Sequence, residues 1–433
     1  MGWCQPMTTT PKGLYTKAKK SLDRAVERGH VTERDADAIR EFAAAFDEED
    51  MTTPKPDDDQ YKAYGTLRSY VNNLRRVAKK LDVELVEATD DDVNELMTAM
   101  REDEGKSKNT VRNYQNNVRK FYRYHDFDVD PDDISLISQK EPSVDDRDML
   151  TKDEIARIRD AADHPRDLAV FDLFLYTGQR NTAIRTLRIR DIDLDEGVYF
   201  YNTDDGGLKG ADENGKKRPL LGATASVREW LRYHPDSDNP DAYLITQKPR
   251  YCNPDPTTPV ARETLAYAMR QLKEEAGIDK PLHPHAIRHN FVTIAKREFD
   301  LDDATVKHLI GHRPDSQVME TTYSHLSDED FIQAAEVGAG ISEPEDESSL
   351  TPDICRTCGE PLAPGSKACP ACGTVYTPDA QAVKESIDDD VKQSYAQTDP
   401  DDEDKMDKVD QIDDLLDDPD VKQALLDRLT DDG

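Results

Sequence analysis

The sequence predicts a mainly α chain with a small antiparallel β-sheet, an α+β protein of several domains. Three observations predict it. Apolar residues recur at three- and four-residue steps in segment after segment, the period of one-sided helices. One stretch breaks that period: Val198 to Tyr201, the turn signal Gly206-Gly207 and Arg218 to Leu221 read as strand, turn and return strand. The chain has 433 residues, more than one domain at roughly 100–200 residues each.

The elements follow in order. Residues 1–56 form a helical N-terminal extension with apolar positions from Leu14 to Phe46, and Asp57-Asp58-Asp59 reads as a linker. Residues 57–130 form a helical domain. Its first helix turns Tyr70, Leu74, Val77, Ala78 and Leu81 inward. Thr89 to Asp92 caps the second, which buries Val93, Leu96, Met97 and Met100. Asn109 or Thr110 opens the third, with Val111, Tyr114, Val118, Phe121 and Tyr122 on one face. Residues 131–148, acidic and holding Pro131 and Pro142, read as a hinge. A second domain, 149–340, begins with a capping box at Thr151 and Glu154. An apolar helix over Leu168–Leu175 ends near Gly178. Ala225–Tyr233, Arg262–Glu275, Ala286–Glu298 and Ala304–Ile310 are further helices. A cysteine module at 350–376 and an acidic, flexible tail at 377–433, with an amphipathic segment from Val409 to Leu429, complete the chain.

The 57 Lys+Arg against 91 Asp+Glu give a net charge of −34, which by itself argues against nucleic acid. Its distribution reverses that reading. The tail from Thr377 holds 20 acids and 6 bases, whereas Tyr61–Lys80 and Gly105–His125 each hold six bases and no acid. These two stretches supply a candidate DNA-facing surface of Arg68, Arg75, Arg76, Lys79, Lys108, Arg112, Arg119 and Lys120. The acidic coat elsewhere suits a halophilic, salt-rich cytoplasm. No stretch approaches the ~20 apolar residues of a membrane span. The start Met1-Gly2-Trp3-Cys4 lacks a signal peptide's basic-then-apolar order. The expected location is cytoplasmic.

Four of the six cysteines fall in Cys355-x-x-Cys358 and Cys369-x-x-Cys372, each pair followed by glycine. That spacing builds two knuckles whose thiolates saturate a tetrahedral zinc ion, a structural site with no open position. The ten residues between the pairs cannot make a core, so metal would supply the folding energy. Disulfides are the alternative for a chain that is exported. Cys4 and Cys252 stand alone as plain thiols.

Six of ten histidines lie between His283 and His325, beside Arg288 and Tyr323. Far upstream, Arg180 follows Thr177-Gly178-Gln179 at a helix junction. Two arginines from distant segments can clamp one phosphate.

Here the chain resembles the tyrosine recombinase, or phage integrase, family across roughly residues 57–337. Four strings carry the resemblance: Tyr176-Thr177-Gly178-Gln179-Arg180, His283-Pro284-His285-Ala286-Ile287-Arg288-His289, Leu309-Ile310-Gly311-His312 and Tyr323-Ser324-His325. The cysteine module and tail lie outside it and are similar to additions in archaeal members. The resemblance implies a core-binding domain at 57–130, a catalytic domain at 149–340 and site-specific DNA cleavage and rejoining. It also implies double-stranded DNA as partner and a homo-tetramer on two duplexes. Position by position, Arg180 and Arg288 match the phosphate-holding arginines. His285 matches the first histidine, His312 the third-segment histidine and Tyr323 the nucleophile. Lys209 matches the hairpin lysine, with Lys216 and Lys217 as rivals. The chemistry suits these types: the arginines neutralise the phosphodiester and tighten on its transition state. A phenol of pKa about 10 needs a proton acceptor, for which His285 is the candidate. Lys209 would protonate the departing 5′ oxygen, leaving a 3′-phosphotyrosyl enzyme. No metal or nucleotide is needed for that step. This chain departs from the pattern in having Ala183 three residues after Arg180, a long hairpin, and eleven residues from His312 to Tyr323. Two other readings stay open: a DNA-binding regulator that has lost cleavage, and a metallohydrolase built on the histidine cluster. A type IB topoisomerase shares the recombinase chemistry.

Overall fold

The computed structural model describes residues 10–55, 61–125, 127, 129–138, 146–202, 208, 217–248, 255–299, 301–317, 319, 350–363, 365–397, 411 and 421. They fall into two compact units, one within residues 7–141 and one within 142–433.

The first unit is helical throughout. It comprises α1 (Pro11–Glu27), α2 (Glu33–Ala45), α3 (Tyr64–Ala78), α4 (Asp90–Glu102) and α5 (Lys108–Tyr124). Thr10, Thr32, Thr89 and Ser107 cap four of these starts with their hydroxyls. At Thr89 the reciprocal bond from Asp92 completes a capping box. The inward faces expected of α3, α4 and α5 are buried, except that Leu81 and Leu96 are half-covered.

The sequence placed residues 1–56 apart from this bundle; the structure does not. Tyr15, Leu22, Ile39, Phe42 and Phe46 join Leu67, Tyr70, Leu74 and Phe121 in one core. The Phe42 ring sits 4.9 Å from Tyr70 and 5.6 Å from Phe121. The physical reason is simple: α1 and α2 are one-sided, so their apolar faces need α3 and α5 as a floor. The continuous pattern from Leu14 to Phe46 is also interrupted, at Gly29 with φ +67°. Truncating Phe42 to alanine would cost about 3–5 kcal/mol.

The first part of the expected hinge is likewise packed. Ile134 is buried, Ser135 N–H donates to Asn94 Oδ1 (2.8 Å) and Ile137 N–H donates to Gln115 Oε1 (3.0 Å).

The second unit contains α6 (Lys152–Asp160), α7 (Pro165–Thr177), α8 (Asn181–Thr186), α9 (Ala223–Tyr233), α10 (Arg262–Ala276), α11 (Pro284–Arg297) and α12 (Asp303–Leu309). Its sheet is β1 (Ile192–Asp193), β2 (Val198–Tyr199) and β3 (Arg218–Pro219), antiparallel in that order. The two strands read from the sequence are β2 and β3. β1 was missed because Ile192–Asp193 lacks the apolar run that marked β2, and α8 because six residues carry no measurable period. The expected capping box at Thr151 and Glu154 is present. α7 is buried on nearly all sides and central, and its buried charges are paired, Asp172 with Arg159 and Asp167 with Arg166. It stops at Gly178, φ +59°, where a β-carbon would lie 2.4 Å from the Phe291 ring on α11. Trp230 on α9 is fully buried and its indole N–H donates to Leu244 O (2.7 Å).

The tail expectation needs correction at its start. Pro378–Gln397 is a helix, α13. Ala380 is buried, and the Gln381 amide donates to Glu196 O (3.4 Å). Lys367–Asp379 (3.0 Å) and Lys392–Glu196 (3.3 Å) pair basic with acidic groups along its length. The acidic composition hid the small apolar edge, Ala380 and Val383, that packs on the core. The segment Val409 to Leu429 lies outside the described residues, save Val421 and Gln411. Among the described residues no helix is long and apolar enough to cross a membrane.

Candidate active site and four-cysteine centre

Three separated segments meet at the end of α12. That helix closes in a Schellman turn: Gly311 N–H donates to His308 O (3.1 Å) and His312 N–H to Lys307 O (2.8 Å), with Gly311 at φ +64°. The turn leaves a row of carbonyls that side chains claim in sequence. Arg218 Nε donates to His308 O (3.2 Å) and Gln179 Nε2 to Leu309 O (2.6 Å). Arg288 Nη1 donates to Ile310 O (2.8 Å) and Arg180 Nη1 to Gly311 O (3.1 Å).

The two arginines singled out in the sequence therefore hold neighbouring carbonyls of one turn. Arg288 also donates to Gly178 O (2.7 Å), tying α11 to the loop that carries Arg180. Arg288 is buried and Arg180 half-buried. Arg180 Nη2 lies 2.7 Å from His312 Nε2. A guanidinium only donates, so Nε2 accepts, and the ring proton sits on Nδ1, 3.3 Å from Ser316 Oγ.

His285 shares a face of α11 with Arg288, three residues on. Its ring meets His289 edge-on at 4.4 Å. It is exposed at the mouth of the site. Partial desolvation, then the charges of Arg288, His283 and Arg180, lower its pKa from the ordinary value, which favours a neutral ring. His283 does local work instead: its side chain accepts from Ala286 N–H (3.1 Å) as the N-cap of α11.

Lys209 and Tyr323 lie outside the described residues, as do Lys216 and His325. Lys217 is described; its ammonium stands 3.7 Å from Glu196 and 3.8 Å from Glu385. Sequence reasoning missed Gln179, Tyr201 and Arg218 as members of this cluster. Tyr201 O–H donates to Gln179 Oε1 (2.6 Å), and the Arg218 guanidinium stacks 4.0 Å from the Tyr201 ring centre. The signal for Gln179 stood in the string that ends at Arg180, but the pairings are long-range and left no pattern.

On the helical unit, Arg68 and Arg76 of α3, Lys79 at its C-terminal cap and Lys108 of α5 are exposed. Arg76 reaches the Tyr114 hydroxyl (3.2 Å), and half-buried Arg75 keeps Nε without a hydrogen-bond partner among the described residues. The other three are engaged locally. Arg112 donates to Ile137 O, Arg119 pairs with Asp132, and Lys120 lies 4.6 Å over the Phe46 ring.

The four cysteines form two matching knuckles. Gly359 N–H donates to Cys355 O (2.8 Å) and Gly373 N–H to Cys369 O (2.9 Å). Cys355 N–H donates to Glu360 O (2.7 Å), and Cys369 N–H to Thr374 O (2.8 Å). All four are free thiols, so the disulfide alternative does not hold here. Their sulfurs lie within 4.8 Å of one another, with Cys355–Cys372 at 3.6 Å and Cys358–Cys369 at 3.5 Å. A tetrahedral Zn–S₄ centre needs sulfurs about 3.8 Å apart, so the donor set fits that ion. Among the described residues no other group of three or more His, Cys, Asp or Glu side chains converges for a metal, the histidine cluster included. The ten residues between the pairs, too few for a core alone, do not stand alone. Leu350, Cys355, Cys369, Val375 and Tyr376 belong to the same buried cluster as Phe171 and Tyr176. The module borrows the core of the unit it follows.

Comparison with known proteins fits this geometry. Residues 148–330 match the phage integrase family, and residues 58–128 match the N-terminal SAM-like domain of phage integrases. Together the two matches take in more than half of the chain. The chain belongs to the phage integrase, or tyrosine recombinase, family. Among curated relatives, tyrosine recombinase XerD of Bifidobacterium longum is 29% identical over 197 residues, 43% of this chain and 60% of that protein. Tyrosine recombinase XerC of Lactobacillus delbrueckii subsp. bulgaricus is 25% identical over 174 residues, 37% of this chain and 51% of that protein. The match thus spans between half and three-fifths of these relatives' length. Among solved structures, XerH site-specific recombinase bound to palindromic difH substrate is 16% identical with a TM-score of 0.47, covering 77% of this chain and 98% of that one.

Proposed function

We propose that this chain is a site-specific DNA recombinase that cuts and rejoins strands through a 3′-phosphotyrosyl intermediate. The observation that carries the reading is the meeting of Arg180, Arg288 and His312 on one turn. Two fixed guanidiniums beside a neutral imidazole suit a phosphodiester whose charge grows toward the pentacoordinate transition state.

In this reading Arg180 and Arg288 hold the nonbridging oxygens, and His312, released from Arg180 and protonated on Nε2, adds a hydrogen bond. The Tyr323 oxygen attacks phosphorus while its proton passes to His285. The bond to the 5′ oxygen breaks, and Lys209 supplies that oxygen's proton. A 5′ hydroxyl from a second duplex reverses the step, so no nucleotide is consumed. Arg68, Arg75, Arg76, Lys79 and Lys108 would contact phosphates. Arg112, Arg119 and Lys120 would have to release their local partners to join them. The working assembly is four protomers on two duplexes, in the cytoplasm of a salt-adapted, archaeal-type cell. Cys355, Cys358, Cys369 and Cys372 would hold one zinc ion, which supplies cross-linking of the two knuckles and no catalysis.

The test is covalent capture. The full-length protein is incubated with a library of nicked duplexes carrying randomised cores, washed under denaturing conditions, and the attached DNA is sequenced. A protein–DNA adduct on a discrete core, absent in Tyr323→Phe, is the expected result. Selective binding without any adduct would replace this reading with the regulator. Hydrolysis that Tyr323→Phe retains and chelator abolishes would replace it with the metallohydrolase.

A further inference from the structure

Gln179, Tyr201 and Arg218 have no place in the phosphate chemistry above, yet they occupy its foundation. His312 is the residue just past the Schellman glycine, so its position depends on how that turn is held. Four consecutive carbonyls, His308 to Gly311, accept from Arg218, Gln179, Arg288 and Arg180 in that order. The first two and the last two donors of the row serve different ends. Arg180 and Arg288 face the reacting group. Gln179 and Arg218 only complete the row, and Tyr201 links them: its hydroxyl fixes the Gln179 amide and its ring carries the Arg218 guanidinium. Tyr201 also closes on the turn itself, where a β-carbon at Gly311 would lie 2.2 Å from its hydroxyl. Along the chain, Tyr201 precedes and Arg218 follows residues 203–216, the stretch that includes Lys209.

Resting on the recombinase reading, we propose that Gln179, Tyr201 and Arg218 are positioning residues. They set His312 and the two phosphate arginines through the carbonyl row of α12 and tie the base of the Lys209 segment to the same turn. Loss of the Gln179 amide takes the side-chain donor from Leu309 O, and loss of Arg218 leaves His308 O to the Gly311 N–H alone; a buried carbonyl short of donors is costly, so the turn shifts rather than staying in place. A shift near 1 Å at a reacting centre lowers rate by up to about 100-fold.

The experiment uses full-length, zinc-loaded Tyr201→Phe, Gln179→Glu, Arg218→Met and Arg218→Lys. One arm needs no DNA: the imidazole ¹⁵N resonances of His312, assigned by His312→Gln. The other arm measures single-turnover adduct formation and binding on the captured duplex, with an ordinary or a methylphosphonate linkage. Expected are displaced His312 signals and adduct formation slowed about 10–100-fold with unchanged DNA affinity. The defect should shrink on the uncharged linkage, where presenting two arginines matters less, and Arg218→Lys should recover part of the rate. Tyr201→Phe removes one hydroxyl and decides the matter should a harsher variant unfold. Unmoved His312 signals with wild-type rates would overturn the proposal. Failure of the wild-type protein to form any adduct would instead overturn the recombinase reading, while the resonance arm still judges the positioning.

Discussion

The most exacting prediction concerns Tyr176, the residue that opens the string ending at Arg180. Its hydroxyl donates to Leu350 O (2.7 Å) at the entrance to the cysteine module and accepts from Arg159 Nη2 (2.8 Å). Arg159 in turn donates Nε to Asp172 Oδ1 (2.9 Å). The side chains of Arg159 and Asp172 are 4% and 1% exposed, so no water replaces a missing partner. Tyr176→Phe keeps the ring and deletes the bridge, leaving a buried guanidinium N–H of Arg159 without its partner. At about 1–3 kcal/mol for a buried donor left unmatched, the loss should be near 2 kcal/mol. For a unit of this size that lowers the melting temperature by roughly 4–8 °C. Calorimetric unfolding of the zinc-loaded full chain measures it. The same substitution in a Cys369→Ser background, where the module is loosened, should cost at least about 1 kcal/mol less, the coupling expected of groups in one network. A melting temperature unchanged by Tyr176→Phe, or an identical loss in both backgrounds, would refute the bridge.

Four further outcomes are expected. Gly311→Ala should cost about 1–3 kcal/mol and abolish adduct formation, because φ +64° disfavours a β-carbon and Tyr201 fills its space; a fully active Gly311→Ala, assayed by capture, would contradict this. Metal analysis should find one zinc per chain, lost in Cys369→Ser, with protection from hydrogen exchange falling in α7 as well as in the module. Because the His285 pKa is lowered from 6.5, the unfolded chain binds more protons just below that pH. Stability should therefore fall as pH drops from 6.5 toward the folded value, and adduct formation should hold its rate down to about pH 6.5. An acid limb centred above pH 7 would exclude His285 as the proton acceptor. With a net charge of −34, the melting temperature should rise between ~0.1 and ~2 M KCl as self-repulsion is screened; a steady fall would remove the salt-adaptation argument.

The sequence was most legible where periodicity and caps act locally. The inward faces of α3 to α5, the two capping boxes and the end of α7 at Gly178 all follow from neighbours within four or five residues. Arg180, Arg288 and His312 were legible by motif, and their meeting on one turn is what motif order implies. Gln179, Tyr201 and Arg218 were not, since a glutamine, a tyrosine and a strand arginine acquire meaning only when the α12 carbonyls arrive from about 90 to 130 positions away. Charge counting likewise treated Arg112 and Arg119 as free bases, because their partners Ile137 O and Asp132 sit in a stretch read as hinge. The helix α13 was masked by its own carboxylates, with only Ala380 and Val383 to betray a buried edge.

The burial of Cys355 and Cys369 beside Tyr176 separates what this chain shares from what it needs. Likeness to the family stops at residue 330, but the oil drop that surrounds α7 does not. A chain shortened there would expose the flank that Leu350, Val375 and Tyr376 cover, and inherited boundaries would mislead anyone trimming it for study. The cysteine knuckles are a wall of the second unit rather than an annex to it, so moving the module into another chain would have to carry the matching flank of α7 along with it.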